Sequence, residues 1–304
     1  MNAEKRILVV GGMGQVGLEL ARTAVPAGYK LVRPGRDELN ITQASSVCDY
    51  LASGDWAGVI NCAAWTAVDL AEDHVADAFL ANCQGAAYLG EATSVSGIPI
   101  IHLSTDYVFD GLLDRPYLET DQVNPLGVYG ASKLAGELAI TCANPRSLIL
   151  RTAWVVSAQR ANFLKTMLRI GAVNQTLRVV ADQRGCPTSA ADIADAALTM
   201  VHRLIEDPQG PTGIYNFVNA GDATWFDLAR HIFQKAALRG GPTTEVLPIT
   251  TTDYPTRAHR PANSRLDTAK LTTDFGIHPR AWQTAVDEIL EELLPKNQHG
   301  SNIL

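Results

Sequence analysis

The chain lacks the marks of several protein classes. Its 304 residues include only five cysteines, Cys48, Cys62, Cys83, Cys142 and Cys186. They are odd in number, widely spaced and without a C-x-x-C pair, which argues against a disulfide framework and against a zinc cage. Unpaired thiols fit a reducing compartment and predict a cytoplasmic protein. No run of about 18 apolar residues occurs, so no membrane-spanning helix is expected. Lys and Arg (25) are outnumbered by Asp and Glu (32), giving a net charge of −7. A nucleic-acid binder carries a basic footprint, and none is present. With 46% hydrophobic and 19% charged residues, the composition is that of a globular domain, not of a disordered or coiled-coil chain. Lys5 and Arg6 before an apolar run resemble the start of a signal peptide. Gly11, Gly12 and Gly14 interrupt that run, no small-residue cleavage site follows, and the segment reads as mature protein.

Short apolar runs alternate with helical patterns. Strands are predicted at 7–10, 30–33, 58–61, 98–103 and 147–151. Helices are predicted at 14–25, 45–51, 71–96 and 129–142. Such alternation predicts βαβ units and a parallel sheet, and apolar residues at consecutive positions predict strands covered on both faces. The fold class is therefore α/β, a Rossmann-type doubly wound sheet with a smaller C-terminal substrate-binding lobe. Residues 1–150 are assigned to dinucleotide binding, extended by strands within 177–218, and 151–304 mainly to the substrate lobe. Segments 177–180, 190–205 and 214–217 are candidates to extend the sheet, and 225–237 and 282–293 read as helices.

The first run is followed by Gly11-Gly12-Met13-Gly14-Gln15-Val16-Gly17. Gly11 permits a tight turn, Gly14 lets backbone approach a pyrophosphate, and Gly17 lets helix and strand pack closely. A helix N-terminus then presents N–H groups to phosphate. After the second strand comes Arg33-Pro34-Gly35-Arg36-Asp37. Arginines stand where an acid would bind the ribose of NAD, so NADPH is favoured, Arg36 being the candidate for the 2′-phosphate. Asp37 or Glu38 leaves NADH open.

Ser104-Thr105-Asp106 follows the strand at 98–103, and Tyr129-Gly-Ala-Ser-Lys133 opens the next helix. Tyr and Lys four apart share a helical face. An ammonium beside a phenol favours the phenolate and is expected to lower the tyrosine pKa. Such a tyrosine can pass a proton to a carbonyl oxygen while hydride reaches the carbon. A hydroxyl at a strand end, Thr105 with Ser104 beside it, can hold that oxygen. Thr105, Tyr129 and Lys133 are the candidate catalytic residues.

Together these segments, with Asn61-Cys-Ala-Ala-Trp-Thr-Ala-Val-Asp69, Arg151-Thr-Ala-Trp-Val155, Asn162-Phe-Leu-Lys-Thr-Met-Leu168 and Tyr254-Pro-Thr-Arg-Ala-His-Arg-Pro-Ala-Asn-Ser-Arg-Leu266, resemble the extended short-chain dehydrogenase/reductases, and among them the dTDP-4-dehydrorhamnose reductases. The resemblance implies NAD(P)H-dependent reduction of the 4-keto group of a dTDP-deoxysugar. It places Gly14, Gln15 and Val16 at the cofactor phosphates, Asn40 and Ile41 near the adenine, and Ala64, Trp65 and Thr66 on the nicotinamide side. It gives Tyr129 and Lys133 a second role at the cofactor ribose, and it puts Thr105, Asp106 and Trp154 at the sugar nucleotide. Two positions depart from the pattern. Arg257 replaces a proline. Glu19 and Glu292 match two glutamates of a metal-bridged dimer, but Ala191 stands at the third, so no metal is expected and the choice between monomer and homodimer stays open.

Other residues have plainer readings. Arg257, Arg260 and Arg265 suit a pyrophosphate or an ion-paired loop equally well. Asn82 reads as polar filler of a helix or, as the resemblance implies, as support for the active-site strand, and His102 as a packed core histidine. Two alternatives compete with the reductase: a related nucleotide-sugar ketoreductase or epimerase, and a non-catalytic binding subunit. The second has no use for Tyr129 and Lys133 at this spacing.

Overall fold

A computed structural model describes residues 4–295; the outermost positions of the two segments assigned above, 1–3 and 296–304, lie outside it. Strands β1 (Lys5–Val10), β2 (Tyr29–Val32), β3 (Gly58–Asn61), β4 (Ile100–Thr105), β5 (Ser147–Thr152) and β6 (Gly213–Asn216) form one six-stranded sheet in the order β2-β1-β3-β4-β5-β6. Every pairing is parallel. The chain leaves β1 toward β2 and returns to β1's other side at β3. That reversal opens a crevice at the carboxyl ends of β1 and β3, where open α/β sheets bind ligands.

Period-two alternation divides the core. Ile7, Val9, Ile60, Ile101 and Leu150 pack on one face with helices α1 (Gln15–Leu20) and the long helix Ala190–Glu206. Leu8, Val10, Val59, Ile100 and Ile149 pack on the other with α2 (Ala44–Ala52), α3 (Gly85–Val95) and α4 (Val128–Ala143). Alternate residues of one strand thus bury on opposite sides, as a doubly covered parallel sheet requires. A third apolar cluster joins helices Phe163–Gly171, Trp225–Ala237 and Trp282–Leu293 through Leu164, Ile232, Phe233, Val286 and Leu290.

Several elements differ from expectation. The helix expected at 71–96 is broken into Val68–Ala71, Val75–Phe79, a wide turn at Leu80–Gln84, and α3. The wide turn turns Asn82 inward, where its amide bonds other parts of the site. The helix expected at 14–25 ends at Leu20. Segment 214–217 does enter the sheet as β6, but Thr176–Val180 pairs instead with Glu245–Ile249 in a separate two-stranded sheet, and 190–205 is helical.

The register of α4 on the sheet is fixed by a close approach and by charge. A Cβ at Gly136 would lie 2.0 Å from the Asn82 carbonyl oxygen, so only glycine lets the two helical segments meet. One residue on, Glu137 pairs with Arg151 of β5 at 2.6 Å, each side chain 2% exposed. Arg151 Nε donates to the second carboxylate oxygen at 2.9 Å, and the Ser104 hydroxyl of β4 donates to the same oxygen. A buried charge left alone costs far more than a buried pair. Replacing Glu137 by alanine is therefore expected to cost about 3–5 kcal/mol, seen as a lowered urea midpoint; an unchanged midpoint would contradict this role.

Candidate active site

A cavity of about 930 Å³ runs along the carboxyl ends of β1, β3, β4 and β5, within the usual size of a small-molecule site. The candidate catalytic residues and those the resemblance places at the cofactor and the sugar nucleotide line it. Gly11, Gly14, Gln15 and Val16 form one end, with Arg36, Asn40 and Ile41 beside them. Ala64, Trp65 and Thr66 line the middle. Thr105, Asp106, Tyr129, Lys133 and Trp154 lie at the other end.

The glycine end is shaped by backbone contacts. Gly11 has φ +76°, and a Cβ there would lie 2.5 Å from the Ala63 nitrogen, so the loops after β1 and β3 meet only through glycine. A Cβ at Gly17 would lie 2.5 Å from the Gly12 Cα, which is the close helix–strand packing expected of the third glycine. A Cβ at Gly14 would meet only the Gly11 oxygen, at 3.4 Å. No side chain caps α1, so its first turn faces the cavity with bare backbone, as a phosphate requires. Arg33 is not part of the cavity lining and donates to the Gly12 carbonyl at 3.3 Å. Of the two arginines after β2, Arg36 is the one that lines the cavity. Glu38 accepts from the Gly35 N–H at 2.8 Å. The donor set therefore fits a dinucleotide.

The middle of the cavity is held by Asn82. Its oxygen accepts from the Trp65 N–H at 2.7 Å, and its nitrogen donates to the Trp65 carbonyl at 3.1 Å and to the Ser132 hydroxyl at 2.9 Å. Asn82 therefore braces the loop after β3 against α4, and not the active-site strand as expected.

At the chemical end, Thr105 is 5% exposed and Lys133 2%. The Thr105 hydroxyl donates to Asp106 Oδ1 at 3.0 Å. Burial pushes Tyr129 up to about 12, opposed by Thr105 and reinforced by the Asp106 charge. The lowering expected from Lys133 is not seen. Lys133 Nζ instead donates to the Leu103 carbonyl at 2.6 Å and lies 3.4 Å from His102 Nε2. Burial brings Lys133 down to about 8, against the raising influence of Glu137 and Cys62. Burial also raises the Asp106 carboxyl to about 7, with hydrogen bonds from Ser264 and Thr105 opposing it. Asp106 Oδ2 is buried without a partner in the cavity wall. Trp154, 9% exposed, stacks on Trp225 with ring centroids 3.5 Å apart. It carries φ +46°, a left-handed backbone rare for a large residue.

The three arginines of the C-terminal segment do not line this cavity. Arg257 pairs with Asp73, and Arg260 with Asp69 at 2.8 Å. Arg265 donates to Asn263 Oδ1 at 2.8 Å. The first two tie the segment to the residues after β3, and Arg265, which also donates to the Asp114 carbonyl, ties it to the loop after β4.

Sequence reasoning missed Glu137 and Arg151. The signals were present: Glu137 lies four residues beyond Lys133 on the same face, and Arg151 ends an otherwise apolar strand. Among the described residues no group of three or more His, Cys, Asp or Glu side chains is placed to hold a metal ion.

The chain matches the RmlD substrate binding domain family over residues 5–294. It is 41% identical to the dTDP-4-dehydrorhamnose reductase of Sinorhizobium fredii (strain NBRC 101917 / NGR234), covering 95% of this chain and 98% of that protein. It is 42% identical to the enzyme of the same name from Aggregatibacter actinomycetemcomitans, covering 93% and 98%. Among solved structures, the Bacillus anthracis dTDP-4-dehydrorhamnose reductase in complex with NADP superposes with a TM-score of 0.88 at 31% identity, covering 95% of this chain and 99% of that one. A Thermus thermophilus UDP-glucose 4-epimerase, 20% identical, shares the fold with a TM-score of 0.76. A family match across nearly the whole chain, the same enzyme name on both relatives, and a cavity that gathers the glycine turn, Thr105, Tyr129 and Lys133 lead to one statement: this chain belongs to the RmlD family of dTDP-4-dehydrorhamnose reductases.

Proposed function

We propose that this chain reduces the 4-keto group of dTDP-4-dehydro-β-L-rhamnose to dTDP-β-L-rhamnose, a precursor of cell-surface polysaccharide. NADPH is the favoured donor and NADH an alternative. The observation that carries this reading is the convergence of Thr105, Tyr129 and Lys133 at one end of a cavity whose other end is a bare glycine turn. The relatives' shared name supplies the substrate, and an NADP complex of a relative supports the cofactor.

When bound, the reduced nicotinamide supplies the hydride. Gly11, Gly14, Gln15 and Val16 would hold its phosphates through backbone, Arg36 the 2′-phosphate, and Asn40 and Ile41 the adenine. Ala64, Trp65 and Thr66 would form the nicotinamide wall, which Asn82 braces. Tyr129 and Lys133 would hold the ribose. Residues 1–150 extended by β6 would carry the dinucleotide, and 151–304 would mainly supply the substrate lobe. A reductase needs its phenol protonated before hydride arrives. Burial supplies this, because a tyrosine at about 12 keeps its proton throughout the neutral range. Tyr129 gives that proton to the ketone oxygen as negative charge develops there. Thr105 orients the same oxygen. The unpartnered Asp106 Oδ2 accepts from a sugar hydroxyl, and Trp154 offers a stacking face to the nucleotide sugar. Among the described residues no helix is long and apolar enough to cross a membrane, which together with the unpaired thiols supports a cytoplasmic site of action.

Two outcomes follow. Tyr129→Phe keeps the ring and removes the proton, so kcat is expected to fall about 10²–10⁴-fold, with at most about a tenfold loss of NADPH affinity from the missing ribose contact; turnover within a few-fold of wild type would overturn the assignment. Arg36→Ala is expected to weaken NADPH about tenfold, the scale of one hydrogen bond to a charged group, and to leave NADH unchanged in fluorescence titrations. Equal weakening of both cofactors would remove Arg36 from the 2′-phosphate.

A further inference from the structure

Behind Lys133 lies a polar chain that the reaction scheme does not use. Asn61 and His102 are register partners on β3 and β4, and each is 1% exposed. The Ala63 backbone N–H meets Asn61 Oδ1 at 3.0 Å. A backbone N–H can only donate, so the atom facing it is the amide oxygen. Asn61 Nδ2, a donor, is thereby set 2.9 Å from His102 Nδ1, which must be the unprotonated ring nitrogen. Burial and the neighbouring Lys133 hold His102 well below the usual imidazole range, so the ring is neutral and its one proton sits on Nε2. That N–H is aimed at Lys133 Nζ, 3.4 Å away.

We propose that Asn61 and His102 are positioning residues for Lys133: the amide fixes the Nε2–H tautomer, and that N–H stabilises the uncharged amine. An ammonium has donors and no acceptor, so it leaves Nε2–H facing a donor. An amine accepts from Nε2–H and still donates to the Leu103 carbonyl. The other groups around Nζ do not do this. The Cys62 thiol, pushed up to about 12 by burial, stays uncharged. Glu137 favours the ammonium, although Arg151 and Ser104 take up its oxygens. Tyr129 keeps its proton. His102 therefore adds to burial in lowering the pH at which Lys133 gains its charge. The inference rests on the reading of Lys133 as a site residue, but its test needs neither substrate nor turnover.

The test is NMR of the unliganded enzyme carrying ¹⁵N-labelled histidine and ¹³C-labelled lysine. His102 is expected as a neutral ring with pyrrole-type Nε2 and pyridine-type Nδ1, and Lys133 Cε is expected to titrate near 8. Asn61→Asp replaces the donor by an acceptor, which moves the ring proton to Nδ1 and frees Nε2 to accept from an ammonium. The Lys133 midpoint is then expected to rise by about one pH unit, a tenfold change in its equilibrium. In a His102→Phe background the same substitution is expected to lose most of that rise. A wild-type Nδ1–H tautomer, an ordinary lysine midpoint, or a rise undiminished by His102→Phe would overturn the proposal. If either variant fails to fold, the wild-type spectra decide it. Failure here leaves the reductase reading standing, because that reading is tested by turnover of the ketosugar.

Discussion

Glu137 and Arg151 meet in the interior with almost no access to solvent, and the placement of the chemistry depends on that meeting. Tyr129, Lys133 and Glu137 follow one another at four-residue spacing, so they share one face of α4. Anchoring the last of them to β5, and through Ser104 to β4, fixes the rotation of the whole face. Thr105 is the residue after Ser104, so the same anchor sets the distance between its hydroxyl and the phenol. The desolvation cost of the two charges is offset only because the carboxylate oxygens are engaged by Arg151 and Ser104 together. Gly136 plays the steric counterpart, since any side chain there would force α4 off the Asn82 turn.

Burial also sets the electrostatics. A phenol withdrawn from water holds its proton, a carboxyl beside it approaches neutrality near pH 7, and an amine one turn on loses charge near 8. Each shift has desolvation as its largest cause. At neutral pH the phenol is thus uncharged, the carboxyl partly ionised and the amine still largely an ammonium, and a proton donor waits where negative charge develops. Preorganised dipoles and donors of this kind work best where water is excluded.

Much of this was legible in the sequence. The glycine turn, the hydroxyls after β4 and the Tyr–Lys pair of α4 each have a local spacing that geometry imposes, and all converge on one cavity. The sheet was legible because both faces of its strands are covered. What escaped depends on tertiary contact. The wide turn at Leu80–Gln84 is invisible to helical periodicity, because its residues are ordinary helix formers; only the inward Asn82 gives it a purpose. The direction of Lys133 escaped because the spacing puts it on the face of Tyr129 without saying which acceptor it meets, and the Leu103 carbonyl is closest. Arg257, Arg260 and Arg265 suited a phosphate by composition, yet acids of the segment after β3 and a nearby asparagine claim them. The C-terminal lobe was the least legible, since its strands pair with partners distant in sequence.

The most direct test of a ketoreductase follows the hydride itself. The enzyme would be supplied with the 4-ketosugar nucleotide and NADPH carrying deuterium at both C4 positions of the nicotinamide, and the product examined by NMR. One deuterium is expected on C4 of the sugar, with one oxidised cofactor released per molecule of product. A product with no deuterium at that carbon, formed while the cofactor pool stays reduced, would contradict hydride delivery to the ketone.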